Sequence, residues 1–368
     1  MIKVGELFAG IGSQTQALKN IGIEHNVEFI SEIDKYAVKS YEAIHGEVNN
    51  LGDIKEIDKI PYVDLLTYSF PCQDLSVAGK QAGIQKHTRS GLLYEVERLL
   101  NISEKPKYLL LENVKNLIGK KHKADFDEWL KTLEKMGYHN YWKVLNAKDY
   151  GIPQNRERVF VVSSLEKIDY EFPEKEELKL KLKDMLENKV DEKFYIKKEL
   201  SENLIKKVSE KEISKTIRCG GKGSLDLKHE WDLVGIKQVG MLNIKGNEQI
   251  RRVYSQDGIS PTLSTMQGGN RQPKIIIGST QKNAAINKDG ISPTLTSAMG
   301  CGGGQVPTHN YYNKIRKLTP LECWRLMGFK DDQFYKAEKV NSNTQLYKQA
   351  GNSIVVNVLE SIFKELLK

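Results

Sequence analysis

Six short apolar runs of strand character, Ile2–Phe8, Val27–Ile30, Val63–Tyr68, Tyr108–Glu112, Tyr141–Leu145 and Val159–Ser163, occupy the first half of the chain. Helical stretches at Ser13–Ile21, Lys35–His45, Gly91–Asn101 and Ala124–Met136 lie between them. This alternation is the strongest constraint on the fold. Parallel strands need a crossover between them, usually a helix, so the pattern predicts an α/β domain with a mostly parallel sheet and helices on both faces. In such sheets ligands bind beyond the carboxyl ends of the strands.

After Pro173 the texture changes. Glu174–Lys215 is dense in Lys and Glu at helical spacing and reads as a solvated helical connector without chemistry. From Cys219 to Asn313 the chain is rich in Gly, Ser, Thr, Gln and Asn with short β-type runs, which suits a small β-rich module with long loops. It contains a repeat: Asp257-Gly258-Ile259-Ser260-Pro261-Thr262-Leu263 recurs as Asp289-Gly290-Ile291-Ser292-Pro293-Thr294-Leu295, each copy followed by a Gly-rich loop. Two copies are too few for a solenoid, and two related hairpin units are expected. Helix resumes after Leu318, with a last amphipathic helix over Ile354–Leu367. The division is therefore 1–175, 176–218, 219–335 and 336–368.

At 368 residues the chain can bury a large core without disulfides or metals. Its longest apolar runs, such as Tyr108–Leu111, fall short of the roughly 18 residues a membrane span needs. The N-terminus reads as a strand and not as a signal peptide, so a cytoplasmic protein is expected. The net charge of +8 favours acidic partners, nucleic acid above all, although a generally Lys-rich composition would give the same sum. Cys72, Cys219, Cys301 and Cys323 are scattered without a CxxC pair, so neither a disulfide framework nor a metal site is expected.

The unusual residues gather at strand ends. Gly10 and Gly12, in Phe8-Ala9-Gly10-Ile11-Gly12-Ser13, allow a tight turn and close approach of a ligand before a helix. Thr15 stands where the dinucleotide fingerprint wants a third glycine, which disfavours a nicotinamide site. Glu32, twenty residues past Gly12 and followed by Ile33, can accept from both hydroxyls of a ribose. Asp53, followed by Ile54, could accept from an adenine amino group. Cys72 follows a buried strand and is gripped by Pro71; it is either a nucleophile held at the ligand edge or a small buried hydrophobe. Glu112 ends the next apolar run and should project from the same edge. A cysteine beside a carboxylic acid suits attack on an electron-poor ring. Arg156 and Arg158 alternate into a strand, able to bind a phosphate or a base carbonyl.

Together these residues resemble the bacterial and phage DNA (cytosine-5)-methyltransferase family. The resemblance rests on Phe8–Gly12, Pro71-Cys72-Gln73, Glu112-Asn113-Val114, Gln154-x-Arg156-x-Arg158, Arg316–Cys323 and Gln349-Ala350-Gly351-Asn352-Ser353, in that order. It implies the Rossmann-like fold of S-adenosylmethionine-dependent methyltransferases plus a β-rich target-recognition domain. The cofactor would be S-adenosylmethionine, leaving as S-adenosylhomocysteine. Phe8 would stack on its adenine, with Gly10, Ile11 and Gly12 forming the turn beneath. Glu32 and Ile33 would meet the ribose, Asp53 and Ile54 the adenine edge, and Pro71, Asn352 and Ser353 would complete the site.

On the same resemblance Cys72 would add to carbon 6 of a flipped cytosine, Glu112 would hold its ring nitrogen and amine, and Arg156 with Arg158 would stabilise the adduct. The loop Gln73–Ser90 would close over DNA, with Gln73, Ser76, Lys80 and Arg89 in contact and His87 a DNA-facing residue. Gln249 falls where relatives insert a side chain into the vacated stack, Arg251 is a further DNA contact, and Thr262 and Thr294 are rivals for supporting the flipped nucleotide. Double-stranded DNA is the implied partner, the enzyme a monomer, with a restriction endonuclease as a possible cognate. The alternatives are a transfer-RNA cytosine-5 methyltransferase, which the elaborate Gly-rich module disfavours, and a non-catalytic DNA-binding regulator, which would be expected to lack Cys72 or Glu112.

Overall fold

The structure is a computed structural model and describes residues 1–71, 89–196, 235–236, 238–242, 244, 246–266, 271–277 and 314–368. Its centre is a six-stranded sheet of β1 (Ile2–Leu7), β2 (His25–Ser31), β3 (Leu65–Tyr68), β4 (Tyr108–Val114), β5 (His139–Asn146) and β7 (Glu157–Ser164), in the order β2-β1-β3-β4-β7-β5. The strands β1 to β4 run parallel, and β7 is inserted antiparallel between β4 and β5. Helices α1 (Ser13–Asn20), α2 (Lys35–His45), α3 (Leu93–Ile102) and α4 (Lys123–Lys135) cross between strands, as the alternation predicts.

Alternation along the strands sorts the core into two layers. Leu65, Leu110, Phe160 and Val162 face α1 and the C-terminal helices, while Leu66, Leu109, Leu111, Val159 and Val161 face α3 and α4. The near-continuous apolar run Leu109-Leu110-Leu111 is what a strand covered on both faces requires. No helix among the described residues is long and apolar enough to cross a membrane.

A second, four-stranded sheet joins β8 (Gln238–Met241), β9 (Arg252–Ser255), β11 (Lys274–Ile277) and β12 (Lys314–Lys317), in the order β12-β11-β9-β8. It closes over a small core of Leu242, Val253, Ile276 and Ile315. A four-residue helix, α5 (Glu248–Arg251), precedes β9.

Three expectations are corrected. The described part of the connector, residues 174–196, is extended with two 3-10 turns, Leu182–Met185 and Glu192–Phe194, and is not α-helical. It is also not wholly solvated: Leu182 and Met185 are buried in the main core, and the N–H groups of Leu182 and Lys183 donate to the carbonyls of Gly258 and Gln256. Apolar anchors at short spacing and outside hydrogen-bond partners outweighed the helical spacing of its charges.

The first copy of the repeat does not fold back as a hairpin. Its β10 (Ser260–Pro261) leaves β9 and pairs in parallel with β6 (Gln154–Asn155) of the N-terminal half. Proline has no N–H to donate to a ladder, which confines it to such short edge pairings. The second copy lies outside the described residues.

Finally, residues 318–335, grouped by sequence with the Gly-rich module, return to the main core. Leu321, Cys323, Trp324, Leu326 and Phe334 share one cluster with Val4, Leu65 and the last helices. These residues belong to α6 (Pro320–Arg325), α7 (Asp331–Glu338) and the turn between them, followed by α8 (Asn343–Asn352) and α9 (Val356–Leu366). The Thr319 and Glu322 capping box starts α6, and a fully buried fork from Arg316 to Glu322 locks β12 to it.

Candidate active site

The turn after β1 carries three left-handed residues, Phe8 (φ 58°), Gly10 (φ 59°) and Gly12 (φ 77°). For phenylalanine this conformation is strained, and such strain gathers at ligand sites. Gly12 is indispensable for a second reason: a Cβ there would lie 2.6 Å from the rings of Tyr41 and His45. Over Gly10, by contrast, a Cβ would meet nothing within 4 Å, so the turn faces open space.

Glu32 fastens this turn to the loop beyond β2. Its Oε2 accepts from Gly10 N at 2.9 Å and its Oε1 from Asp34 N at 2.7 Å. Burial raises the pKa of this carboxyl, against those N–H groups. Ile33 beside it is 73% exposed, an apolar side chain offered to whatever covers the loop. Asn50 extends the arrangement: its Oδ1 accepts from Glu32 N and Gly52 N, bringing Asp53 and Ile54 to the same edge. The Asp53 side chain accepts from Lys55 N, and Ile54 points into the core, so only its backbone can face a ligand. Open space over a glycine turn, an exposed aliphatic side chain and two carboxylates fit the adenosyl half of S-adenosylmethionine.

The second half of the site lies where β3, β4 and β7 end. Glu112 is opposite Phe160 in the β4–β7 ladder and diagonal to Arg158, a spacing that long side chains bridge. Arg158 Nε and Glu112 Oε1 are 3.0 Å apart, both largely buried. Burial pushes the Glu112 carboxyl up, opposed by Arg158, Arg156 and the Ser69 hydroxyl. A carboxyl so balanced can hold a proton for a ring nitrogen and still accept from an amine. The neighbouring Asn113 donates from Nδ2 to the carbonyl of Phe70, whose ring is buried in the core. Both contacts fix the backbone entering Pro71. Cys72 itself lies outside the described residues.

Arg156 sits differently from Arg158. Its guanidinium is buried and donates to three carbonyls: Leu263 at 3.0 Å, Gly351 at 3.0 Å and Ser353 at 2.9 Å. It thus ties the first repeat copy and the C-terminal end of α8 to the start of β7. Gln154 acts beside it, donating to Leu326 O and accepting from Leu263 N, and the Thr262 hydroxyl donates to Asn155 O at 2.5 Å. The two arginines alternate in sequence, yet one bridges segments and the other faces the carboxylate.

Among the remaining candidates, Ser353 is buried with its hydroxyl donating to Gln349 O, and Asn352 is exposed at the end of α8. Gln249 is exposed on α5, and Arg251 Nε donates to Leu242 O. Arg89 opens a 3-10 turn, Arg89–Leu92, with its side chain outside what is described. Gln73, Ser76, Lys80, His87 and Thr294 lie outside the described residues, as do Cys219 and Cys301. Cys323 is buried in the core. No group of His, Cys, Asp and Glu among the described residues could hold a metal ion.

Sequence reading missed Glu6, Tyr41, His45 and Asn50, and gave Asn113 and Gln154 no role beyond their motifs. The one visible signal was Glu6, a carboxylate flanked by apolar residues and glycine in the second half of β1.

A glycine turn after β1, an acid after β2 and a Pro-Cys run after β3 define a Rossmann-like S-adenosylmethionine-dependent methyltransferase. The family model for C-5 cytosine-specific DNA methylase matches residues 2–368. The chain is 37% identical to the type II methyltransferase M2.ScrFI of Lactococcus lactis subsp. cremoris, covering 100% of this chain and 99% of that one. It is 34% identical to the orphan methyltransferase M.SPBetaI of Bacillus phage SPbeta (100% and 97%) and 34% identical to M.HhaI of Haemophilus parahaemolyticus (97% and 91%). The Dnmt2 methyltransferase of S. pombe shares the fold with a TM-score of 0.65 at 17% identity, covering 100% of this chain and 98% of that one. The chain belongs to the C-5 cytosine-specific DNA methylase family, whose methyl donor is S-adenosylmethionine.

Proposed function

We propose that Cys72, Glu112 and Arg158 carry out methyl transfer to carbon 5 of a cytosine flipped out of duplex DNA. Phe8, Gly10, Ile11, Gly12, Glu32, Ile33, Asp53, Ile54, Pro71, Asn352 and Ser353 would hold S-adenosylmethionine, which would supply an electrophilic methyl group and so become S-adenosylhomocysteine. The Cys72 thiolate bonds to carbon 6, and the ring electrons shift to carbon 5, which takes the methyl. Glu112 gives its proton to ring nitrogen 3 and accepts from the exocyclic amine, which stabilises the shifted charge. Arg158 holds Glu112 in place and can reach the base carbonyl. Loss of the carbon-5 proton to a base then expels the sulfur and restores the ring double bond. A stacked cytosine hides both faces, so extrusion comes first, at a cost of a few kcal/mol.

Arg156 serves as the clasp between this chemistry and the recognition module, and Thr262 of the first repeat copy, whose hydroxyl donates to Asn155 O, is a candidate to support the flipped nucleotide. We assign residues 1–175 with the C-terminal helices to catalysis and cofactor, 176–218 to the connector, and the Gly-rich module to base readout. Gln73, Ser76, Lys80, Arg89, Gln249, Arg251 and Thr294 complete the proposed DNA contacts. The enzyme would work as a monomer, with or without a cognate endonuclease.

The observation that carries this reading is the Glu112–Arg158 pair, one strand from the Pro71 that leads into Cys72. Bisulfite sequencing of a plasmid carrying the expressed gene identifies the methylated site. A duplex with 5-fluorocytosine at that site, incubated with enzyme and S-adenosylmethionine, should form a denaturant-stable adduct with the wild type and none with Cys72→Ser. A wild type that methylates ordinary DNA yet leaves the fluorinated duplex free overturns the covalent route.

A further inference from the structure

Beneath the turn Phe8–Gly12 lies a polar cluster that the methyl-transfer chemistry does not use. Helix α1 starts badly by local standards: its N-cap is Gly12, left-handed, with no side-chain cap. The first N–H groups of a helix need outside acceptors. Glu6, from the neighbouring strand β1, provides one. Its Oε1 accepts from Thr15 N at 2.9 Å and from Thr15 Oγ1 at 2.6 Å. The Thr15 hydroxyl proton being so committed, the Tyr41 hydroxyl donates to Thr15 Oγ1 at 2.9 Å. Glu6 and Thr15 therefore staple the chain on either side of the turn.

A second support comes from α2. His45 packs edge-on to Tyr41, ring centroids 4.8 Å apart, and its Nε2 lies 3.1 Å from the Ile11 carbonyl. A carbonyl only accepts, so Nε2 carries the proton, and Nδ1 faces Lys19 Nζ as an acceptor at 3.4 Å. The ring is thus a neutral imidazole, in keeping with a pKa that burial, with Lys19, pushes down to about 3. With Glu32 on Gly10 N and the Ser31 carbonyl accepting from Phe8 N and Ala9 N, the turn is held from β2, from the loop after it and from α2.

The geometry points to Glu6, Thr15 and His45 as positioning residues for S-adenosylmethionine, fixing the strained turn on which its adenosyl half rests. This inference depends on the turn being the donor site. A purely structural filler explains the cluster poorly. Glu6 is wholly buried, with the Thr15 and Tyr41 hydroxyls set against the cost of its desolvation, a costly group where an apolar side chain would pack more cheaply.

The test measures S-adenosylmethionine affinity by calorimetry without DNA, alongside steady-state kinetics. Thr15→Val removes the hydroxyl at nearly constant shape and should weaken donor binding about fivefold, the worth of one hydrogen bond of about 1 kcal/mol. The KM for the donor should rise to match, while kcat at saturating donor stays within about twofold. Thr15→Ser should restore affinity. His45→Phe keeps a packed ring, so it tests the second support should Thr15→Val not fold, and the same rise is expected. Folded variants with wild-type donor affinity, or a loss confined to the active fraction, overturn the inference. Phe8→Ala, run in parallel, separates the two claims: if it too leaves affinity intact, the donor-site assignment falls; if it alone weakens binding, only the positioning roles fall.

Discussion

Arg158 and Glu112 meet at 3.0 Å across two antiparallel strands, largely out of solvent, with Arg156 as a second positive charge nearby. Burial makes the Glu112 carboxyl reluctant to ionise while the arginines favour its charge. That opposition lets one group both give a proton and accept a hydrogen bond. Glu112→Gln keeps the shape and removes the charge, and is expected to lower kcat by about 10²-fold or more with the fold intact. Single-turnover methylation compared with thermal unfolding checks this; a variant within tenfold of wild type would remove Glu112 from the chemistry.

The clasp around Arg156 makes a different prediction, on stability. A lysine there cannot reach three carbonyls at once, so Arg156→Lys should cost about 2–4 kcal/mol in urea unfolding, the worth of one or two charge-assisted bonds. Gly351→Ala tests the same joint from the other side. Alanine in a helix is normally favoured by about 1 kcal/mol over glycine. Here its Cβ would stand 2.1 Å from the Ser264 carbonyl oxygen, so the sign should reverse, with a loss of about 1–3 kcal/mol. A stabilised Gly351→Ala would show that Ser264 and Thr265 do not pack against α8 in this way.

Glu6 sets a pH dependence. Burial raises its pKa from 4.5 to about 7, so between those values the folded chain holds a proton that the unfolded chain has released. Stability from this group is therefore greatest below about pH 4.5 and declines as pH rises to about 7. Glu32 and Glu112 are shifted the same way, so the wild-type slope is not Glu6's alone. The difference between wild type and Glu6→Gln isolates it. The glutamine variant should gain relative stability as pH rises from 5 to 7.5, by an amount on the order of 2 kcal/mol. Parallel curves from chemical denaturation at the two pH values would contradict a buried carboxyl.

The sequence by itself determined the fold of the N-terminal half. Strand-helix alternation is a local property of apolar spacing, so the sheet strands and the helices α1 to α4 were legible within a residue or two, and with them the ligand edge at the strand ends. Motif spacing put the glycine turn and Glu32 directly after β1 and β2, and Glu112 near the end of β4. The tertiary structure alone decided what distant segments do to one another. It gave Arg156 and Arg158, alike in sequence, one role at a joint and one at a carboxylate. It drew Ser260–Pro261 away from a hairpin to pair with Gln154–Asn155, and returned residues 318–335 to the main core. It also set Glu6, Thr15 and His45 under one turn. The physical reason is range: periodicity records which way a side chain faces within its own element, whereas a buried polar group must find its partner wherever the packed chain supplies one.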